Sequence, residues 1–348
     1  MTAYDDKDLP GNPAAQSLPM QLFVMSQGAL ISVALALAAE LGIADLLAEG
    51  PLSSEDLAQA TATHPPSLYR ILRLLSSVGV FTESTPRHFA LTPLGECLRS
   101  GIAGSMRSWV RLMNLRPWLH TYAEALHCVR TGEPAFKLST GAEFFDYFAA
   151  HPAESEIFNG AMDDVGQVIS AAVVQAYDFS GITRIVDIGG GHGTQIAAIL
   201  LHYPHMRGVL FDLPHVVESA RQAISGAGLA DRCELAGGDF FQSVPAGGDA
   251  YLLRWIIHDW DHDRALTILG NCRQVMKDTD RLLLVEAVIP PGDEPHPGKL
   301  TDLLMLTGLG GKERTEAEYG KLLREAGFRL KRVVHTVSHM SVIEAVPG

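Results

Sequence analysis

His258 follows the apolar run Tyr251-Leu252-Leu253-Arg254-Trp255-Ile256-Ile257 and precedes Asp259 and Trp260, so an apolar segment delivers an imidazole with a carboxylate beside it. Imidazole is the side chain whose ordinary pKa suits proton transfer near neutral pH, and a strand ending on His258 would present it as a general base. Upstream, Val186-Asp187-Ile188-Gly189-Gly190-Gly191-His192-Gly193-Thr194 spaces glycines so that backbone can approach a ligand while the following helix turns its first amides toward it. Downstream, a second apolar strand ends on Glu286. The order implies binding of a nucleotide-like cofactor followed by proton abstraction.

The glycine turn is not a dinucleotide fingerprint. Counting G-x-G-x-x-G from Gly189 puts Thr194 at the last position, and counting from Gly191 puts Ile196 there. Asp212, closing the next strand, is placed to accept from both ribose hydroxyls, and Asp239-Phe240 after the third strand offer an acceptor for an adenine amino group and a ring for its face. Asp259 and Asp261 form no convergent set of metal ligands, and Cys97, Cys128, Cys233 and Cys272 are scattered without a C-x-x-C pair, so no metal is expected.

These residues need a sheet to hold them. From Arg184 short apolar strands alternate with helices, and two β-like runs between Phe328 and Val346 complete one edge, which describes a doubly wound α/β domain at 181–348. Residues 101–180 read as helical, with an aromatic band (Trp109, Trp118, Phe144, Phe145, Tyr147, Phe148, Phe158) that serves as core or roofs a pocket for a flat substrate. Residues 17–100 begin with dense apolar helices from Leu18 to Leu47, buried on most faces, and continue as a winged helix-turn-helix. DNA readout is not expected of it: Arg70 and Arg73 are the only basic residues at the recognition-helix position, and the net charge of −13 disfavours polyanions and anionic membranes alike. Residues 1–16 are expected to be a loose arm. Asp5, Asp6 and Asp8 stand where a signal peptide would be basic, and no uninterrupted apolar run reaches membrane-spanning length, so a reducing cytoplasm is expected.

The ordered segments VDIGGGHG, FDLPHV, GGDFF, RWIIHDW, VEAVIP, DLLML and GGKERTEAEY, behind the winged-helix module, resemble the class I S-adenosylmethionine-dependent O-methyltransferases of the plant caffeate and bacterial polyketide-tailoring type, over most of the chain. The resemblance implies S-adenosyl-L-methionine as cofactor, held by Gly189, Gly191, Asp212, Asp239, Phe240 and Arg254. It implies His258 as base, supported by Glu286 and Glu313, and Met162, Trp255 and Met305 around a small aromatic acceptor. A homodimer built through the N-terminal helices is also implied. Arg254 as a structural ion pair and Met305 as plain helix core remain open. Leu309 stands where the plant enzymes carry Asn, which sets plant-type acceptors apart. The expected activity is methylation of a phenolic hydroxyl on an aromatic secondary metabolite; the alternatives are N-methylation, or a non-methylating member of the fold acting as hydroxylase, decarboxylase or pericyclase.

Overall fold

The computed structural model describes residues 17–348, so the expected arm at 1–16 lies outside the described residues. The chain divides into two compact units, Met1–Leu115 and Arg116–Gly348.

In the first unit the apolar N-terminal segment forms helices Leu18–Met25 and Gly28–Glu40, followed by Ile43–Leu46. Within one chain these helices bury little, so the monomer does not supply the cover expected for their apolar faces. Leu18–Met25 buries no residue, and Gly28–Glu40 buries only Ala34, Ala38 and Ala39. Leu18–Glu40 as a whole, with Ser26 and Gln27 interrupting it, is long and apolar enough to cross a membrane. The winged module is present. Ser53 caps the Ser54–Ala60 helix by accepting the Asp56 N–H, Pro65–Ser77 follows, and β1 (Leu52–Ser53), β2 (Phe81–Thr85) and β3 (His88–Leu91) pair in the order β1-β3-β2. Its core gathers Leu57, Leu68, Leu72, Leu75, Phe81 and Phe89.

The second unit is built on a seven-stranded sheet. Its strands are β4 (Arg184–Ile188), β5 (Arg207–Asp212), β6 (Cys233–Gly237), β7 (Ala250–Arg254), β8 (Arg281–Ala287), β9 (Phe328–His335) and β10 (Met340–Pro347). The order is β6-β5-β4-β7-β8-β10-β9. β4 through β8 run parallel, and β10 pairs antiparallel with both β8 and β9. Continuous runs such as Ile185-Val186-Asp187-Ile188 and Leu282 to Ala287 are buried because helices cover both faces of a parallel sheet. The order reverses beside β4, so the carboxyl ends of β4 and β7 form the switch point where such sheets open to ligands.

Before the sheet, helices carry the aromatic band. Trp118, Phe136, Phe144 and Phe148 are buried and pack on one another at ring-centroid distances of 4.9–6.3 Å. These four are core. Phe145 is 48% exposed and turns toward Trp260.

Candidate active site

The turn after β4 is packed underneath and open above. Gly189, Gly191 and Gly193 have φ of 68°, 57° and 84°. A Cβ on Gly190 would lie 2.3 Å from Leu210 Cδ1 and 2.8 Å from Asp187 Oδ2, whereas one on Gly191 would meet nothing within 4 Å. Asp212, at the end of β5, accepts the Gly191 N–H at 2.8 Å and the Leu213 N–H at 2.7 Å, while burial raises its carboxyl pKa. Asp239 accepts the Phe241 N–H at 2.8 Å, and Phe240 packs on Phe241 and Trp260.

Beneath the turn, Asp187 is 1% exposed and neither carboxylate oxygen has a hydrogen-bond partner. Burial pushes it up to about 7 against the opposing pull of Arg254. The Arg254 guanidinium lies against Gly166 of the Pro152–Ala176 helix, 3.1 Å from where a Cβ would stand, so that glycine makes room for it. Burial lowers the Arg254 pKa while Asp187, Asp163 and Glu286 oppose the fall, which makes Arg254 part of a buried charge cluster under the turn.

The histidine is not on the strand. β7 ends at Arg254, and His258 sits in a single 3-10 turn, Ile257–Asp259, so the expectation of a strand-borne base is corrected. The chain leaves the sheet at Trp255, whose φ is 55°. His258 is 4% exposed. Its Nδ1 lies 2.9 Å from Glu313 Oε1 and 4.0 Å from Glu286 Oε2, and its Nε2 lies 3.3 Å from Asp259 Oδ1. Burial alone disfavours the charged ring, but Glu313, Asp259 and Glu286 outweigh it and push His258 up to about 10. Burial in turn pushes Glu286 up to about 7 and Asp259 up to about 6. These groups titrate as one coupled cluster.

Glu313 is fixed from three directions. Its own N–H donates to Asp302 at 2.8 Å, the Lys312 N–H donates to the His258 carbonyl at 2.9 Å, and the Ile289 N–H donates to the Arg314 carbonyl at 3.1 Å. Arg314, 1% exposed, donates to the carbonyls of Ile257 and Trp260 and so clamps both ends of the histidine turn. Asp259 and Trp260 stood out in the sequence beside His258, whereas Arg314 and Asp302 were not singled out; an arginine directly after Glu313 was the available signal. Glycine turn and histidine turn meet directly, since a Cβ on Gly189 would lie 2.5 Å from Ile256 Cδ1. Trp255 stacks on His258, with centroids 5.7 Å apart. Met162 is half-buried on the Pro152–Ala176 helix, and Met305 is buried on Gly298–Gly308. His258, Glu286 and Glu313 offer atoms within 4.8 Å of one another, the spacing a divalent ion would need. Nδ1 is instead hydrogen-bonded to Glu313, as in a base held by a carboxylate.

Residues 122–329 match the O-methyltransferase domain family, and residues 23–101 match the O-methyltransferase dimerisation domain. The chain belongs to this O-methyltransferase family. It is 44% identical over 338 residues to the phenazine O-methyltransferase PhzM of Lysobacter antibioticus, covering 97% of this chain and 99% of that one. The crystal structure of LaPhzM superposes with a TM-score of 0.89 at 44% identity, covering 96% of this chain and 100% of that one. A further neighbour, NcsB1 from neocarzinostatin biosynthesis, solved with S-adenosylmethionine and 2-hydroxy-5-methyl naphthoic acid, has a TM-score of 0.77 at 33% identity, covering 91% and 96%. The chain is therefore an O-methyltransferase with a dimerisation domain, an α/β methyltransferase fold and the family's S-adenosylmethionine chemistry.

Proposed function

We propose that this O-methyltransferase methylates a phenolic hydroxyl of an aromatic secondary metabolite, with His258 as general base. The observation that carries the reading is the buried His258–Glu313 hydrogen bond of 2.9 Å on a turn that packs against the cofactor-type glycine turn. Open space above Gly191, the Asp212 carboxylate beside it and the Asp239–Phe240 pair fit a methionine-linked nucleoside. Gly189, Gly191, Asp212, Asp239 and Phe240 hold S-adenosylmethionine, with Arg254 balancing charge beneath. Bound there, it supplies an electrophilic methyl on a sulfonium that departs as a neutral thioether.

The chain's part is to bring up the oxygen and take its proton. A free phenol has a pKa of about 10 and a free imidazole about 6.5, a mismatch of several units. The carboxylates around His258 push it up to about 10, so the neutral imidazole holds a phenol's proton firmly once it takes it, while below that pH the resting ring is largely protonated and only its neutral fraction serves as base. Glu313 on Nδ1 fixes the tautomer that leaves Nε2 to receive the proton and stabilises the imidazolium as the oxygen–methyl bond forms. Glu286 adds charge from the same side. Met162, Trp255 and Met305 grip the planar ring, and the helices from Arg116 to Ala176 stand around it.

The apolar helices at Leu18–Met25 and Gly28–Glu40 form a homodimer interface in this reading, and the unpaired cysteines suit a reducing cytoplasm. The test is methyl transfer from labelled S-adenosylmethionine to a panel of hydroxynaphthoates, hydroxyphenazines and phenolic acids, with His258→Ala alongside. Labelled product from wild type and almost none from the variant is expected. An active His258→Ala would overturn the assignment of the base.

A further inference from the structure

Among the described residues, three other than glycine have left-handed backbone: Ala62, Arg87 and Trp255. Arg87 lies in the turn between β2 and β3, and Ala62 follows the end of the Ser54–Ala60 helix, both places where a reversal is ordinary. Trp255 is different. It stands at the exit of β7 with φ 55°, a conformation disfavoured for a bulky side chain and found where surrounding structure enforces it.

What the reversal achieves is visible in its own amide and the next two. The Trp255 N–H still bonds in the sheet, to Val285 O at 3.1 Å. Ile256 is right-handed (φ −117°, ψ −51°), and a left-handed residue followed by a right-handed one turns successive N–H groups inward into an anion-binding nest. The anion is a side chain. Glu286 Oε1 accepts the Ile256 N–H at 3.1 Å and the Ile257 N–H at 2.8 Å. Glu286 is wholly buried, and its Oε2, with no hydrogen-bond partner, lies 4.0 Å from His258 Nδ1. The indole is anchored as well: Nε1 donates to Met340 Sδ at 3.3 Å, and the ring stacks on the imidazole at an interplanar angle of 20°.

We propose that Trp255 is a positioning residue whose left-handed backbone builds the nest that aims Glu286 at His258, with the indole holding that conformation and the plane of the imidazole. The inference rests on the reading of His258 as the working base only for its catalytic meaning; the positioning itself is structural. The charged and titratable groups around His258 are Glu286 from β8, Glu313 and Arg314 from the segment before Thr315, Asp259 from its own turn and His339 from the β9–β10 connection. Of these, Glu286 is the one whose carboxylate the nest orients.

Two measurements on the full-length protein test this without an acceptor. The first is the melting temperature of Trp255→Gly against Trp255→Ala. Both remove the indole, but only glycine tolerates φ 55° freely, so Gly should melt higher than Ala by about 2 °C or more, the reverse of the usual order. The second is the His258 imidazole titration followed by NMR on histidine-labelled protein, with the resonance assigned by its loss in His258→Gln. The alanine chain escapes strain by leaving the left-handed region, so Glu286 swings free and the His258 midpoint falls by about half a pH unit or more. In Trp255→Gly it stays nearer wild type. A Trp255→Ala protein that fails to fold while Trp255→Gly folds supports the strain directly. Ala more stable than Gly, or a His258 midpoint unmoved in both variants, overturns the proposal whatever His258→Ala does to methyl transfer. An inactive His258→Ala beside unmoved Trp255 variants leaves the base in place and removes only this inference.

Discussion

Gly189 and Ile256 touch across the switch point so closely that a methyl group on Gly189 would stand 2.5 Å from Ile256 Cδ1. The turn assigned to the cofactor and the turn carrying His258 therefore cannot move independently. Gly189→Ala is expected to weaken S-adenosylhomocysteine binding at least tenfold in a calorimetric titration and to lower turnover as well, since φ 68° strains alanine and Cβ displaces Ile256. Adding Ile256→Ala should recover part of the turnover; a double variant as poor as the product of the two single effects would show the turns to be uncoupled.

His258→Gln should lower kcat by about 10²–10⁴-fold while leaving S-adenosylhomocysteine affinity within about twofold, because the residue acts on the acceptor's proton and not on the donor. Parallel loss of donor affinity would mean that the substitution had disturbed the shared turn instead.

Glu313→Gln separates orientation from charge. Burial opposes the imidazolium, and Glu313 is the strongest of the groups that outweigh it. Without that charge the imidazole holds its proton less tightly, so the acidic limb of kcat/KM moves to lower pH while the plateau falls. Stability follows the same sign. An imidazole held at about 10 contributes fully below its ordinary 6.5 and loses that contribution as pH climbs through about 10. In Glu313→Gln the loss should still begin near the ordinary 6.5 but be smaller and complete at lower pH, which thermal melts at stepped pH would show. An acidic limb fixed in place would place the titrating group elsewhere.

How much of this was legible in the sequence differs by residue. Four of the five parallel strands were readable because strands covered on both faces are continuous apolar runs, and their ends carry Asp212, Arg254 and Glu286, whereas the edge strand β6 holds the exposed Glu234. The position of His258 was not. A strand reaching the histidine is the natural reading of Leu252 to Ile257, and nothing in the residue type of Trp255 signals left-handed backbone, which usually announces itself as Gly or Asn. Glu313 came only through family resemblance: 55 residues separate it from His258, and three hydrogen bonds from distant segments bring it there. The N-terminal helices were legible as apolar surfaces needing cover, but apolar composition records that a surface is covered, not by which chain, and one chain alone leaves them largely exposed.

Glu286→Gln should make the protein more stable above neutral pH and a poorer catalyst. Burial raises the Glu286 carboxyl from 4.5 to about 7, so ionisation in the folded state costs stability as pH rises through that interval, about 3 kcal/mol at full ionisation. Glutamine keeps an oxygen for the Ile256 and Ile257 amides and removes the buried charge. Wild type and variant should melt alike near pH 5 and separate by pH 8, with the variant higher. A variant that melts lower at pH 8 would mean that the Glu286 charge stabilises the fold.

On the Gly28–Glu40 helix, Leu30, Val33 and Leu37 are 57%, 38% and 43% exposed and recur at i, i+3 and i+7, so they form one apolar stripe that the first unit leaves uncovered. Leu22, Phe23 and Met25 extend the exposed apolar surface along the preceding helix, and the match to the dimerisation domain begins at residue 23. A contiguous patch of this kind on a folded chain marks an association surface. Leu30→Glu combined with Leu37→Glu would force two carboxylates into an apolar interface, where unpaired charge is strongly disfavoured. Light scattering coupled to gel filtration should then report a dimer for wild type and a shift to monomer for the double variant. The methyltransferase unit would remain folded by near-UV circular dichroism, because its core is built from other residues. A double variant that stays fully dimeric would move the interface away from this helix.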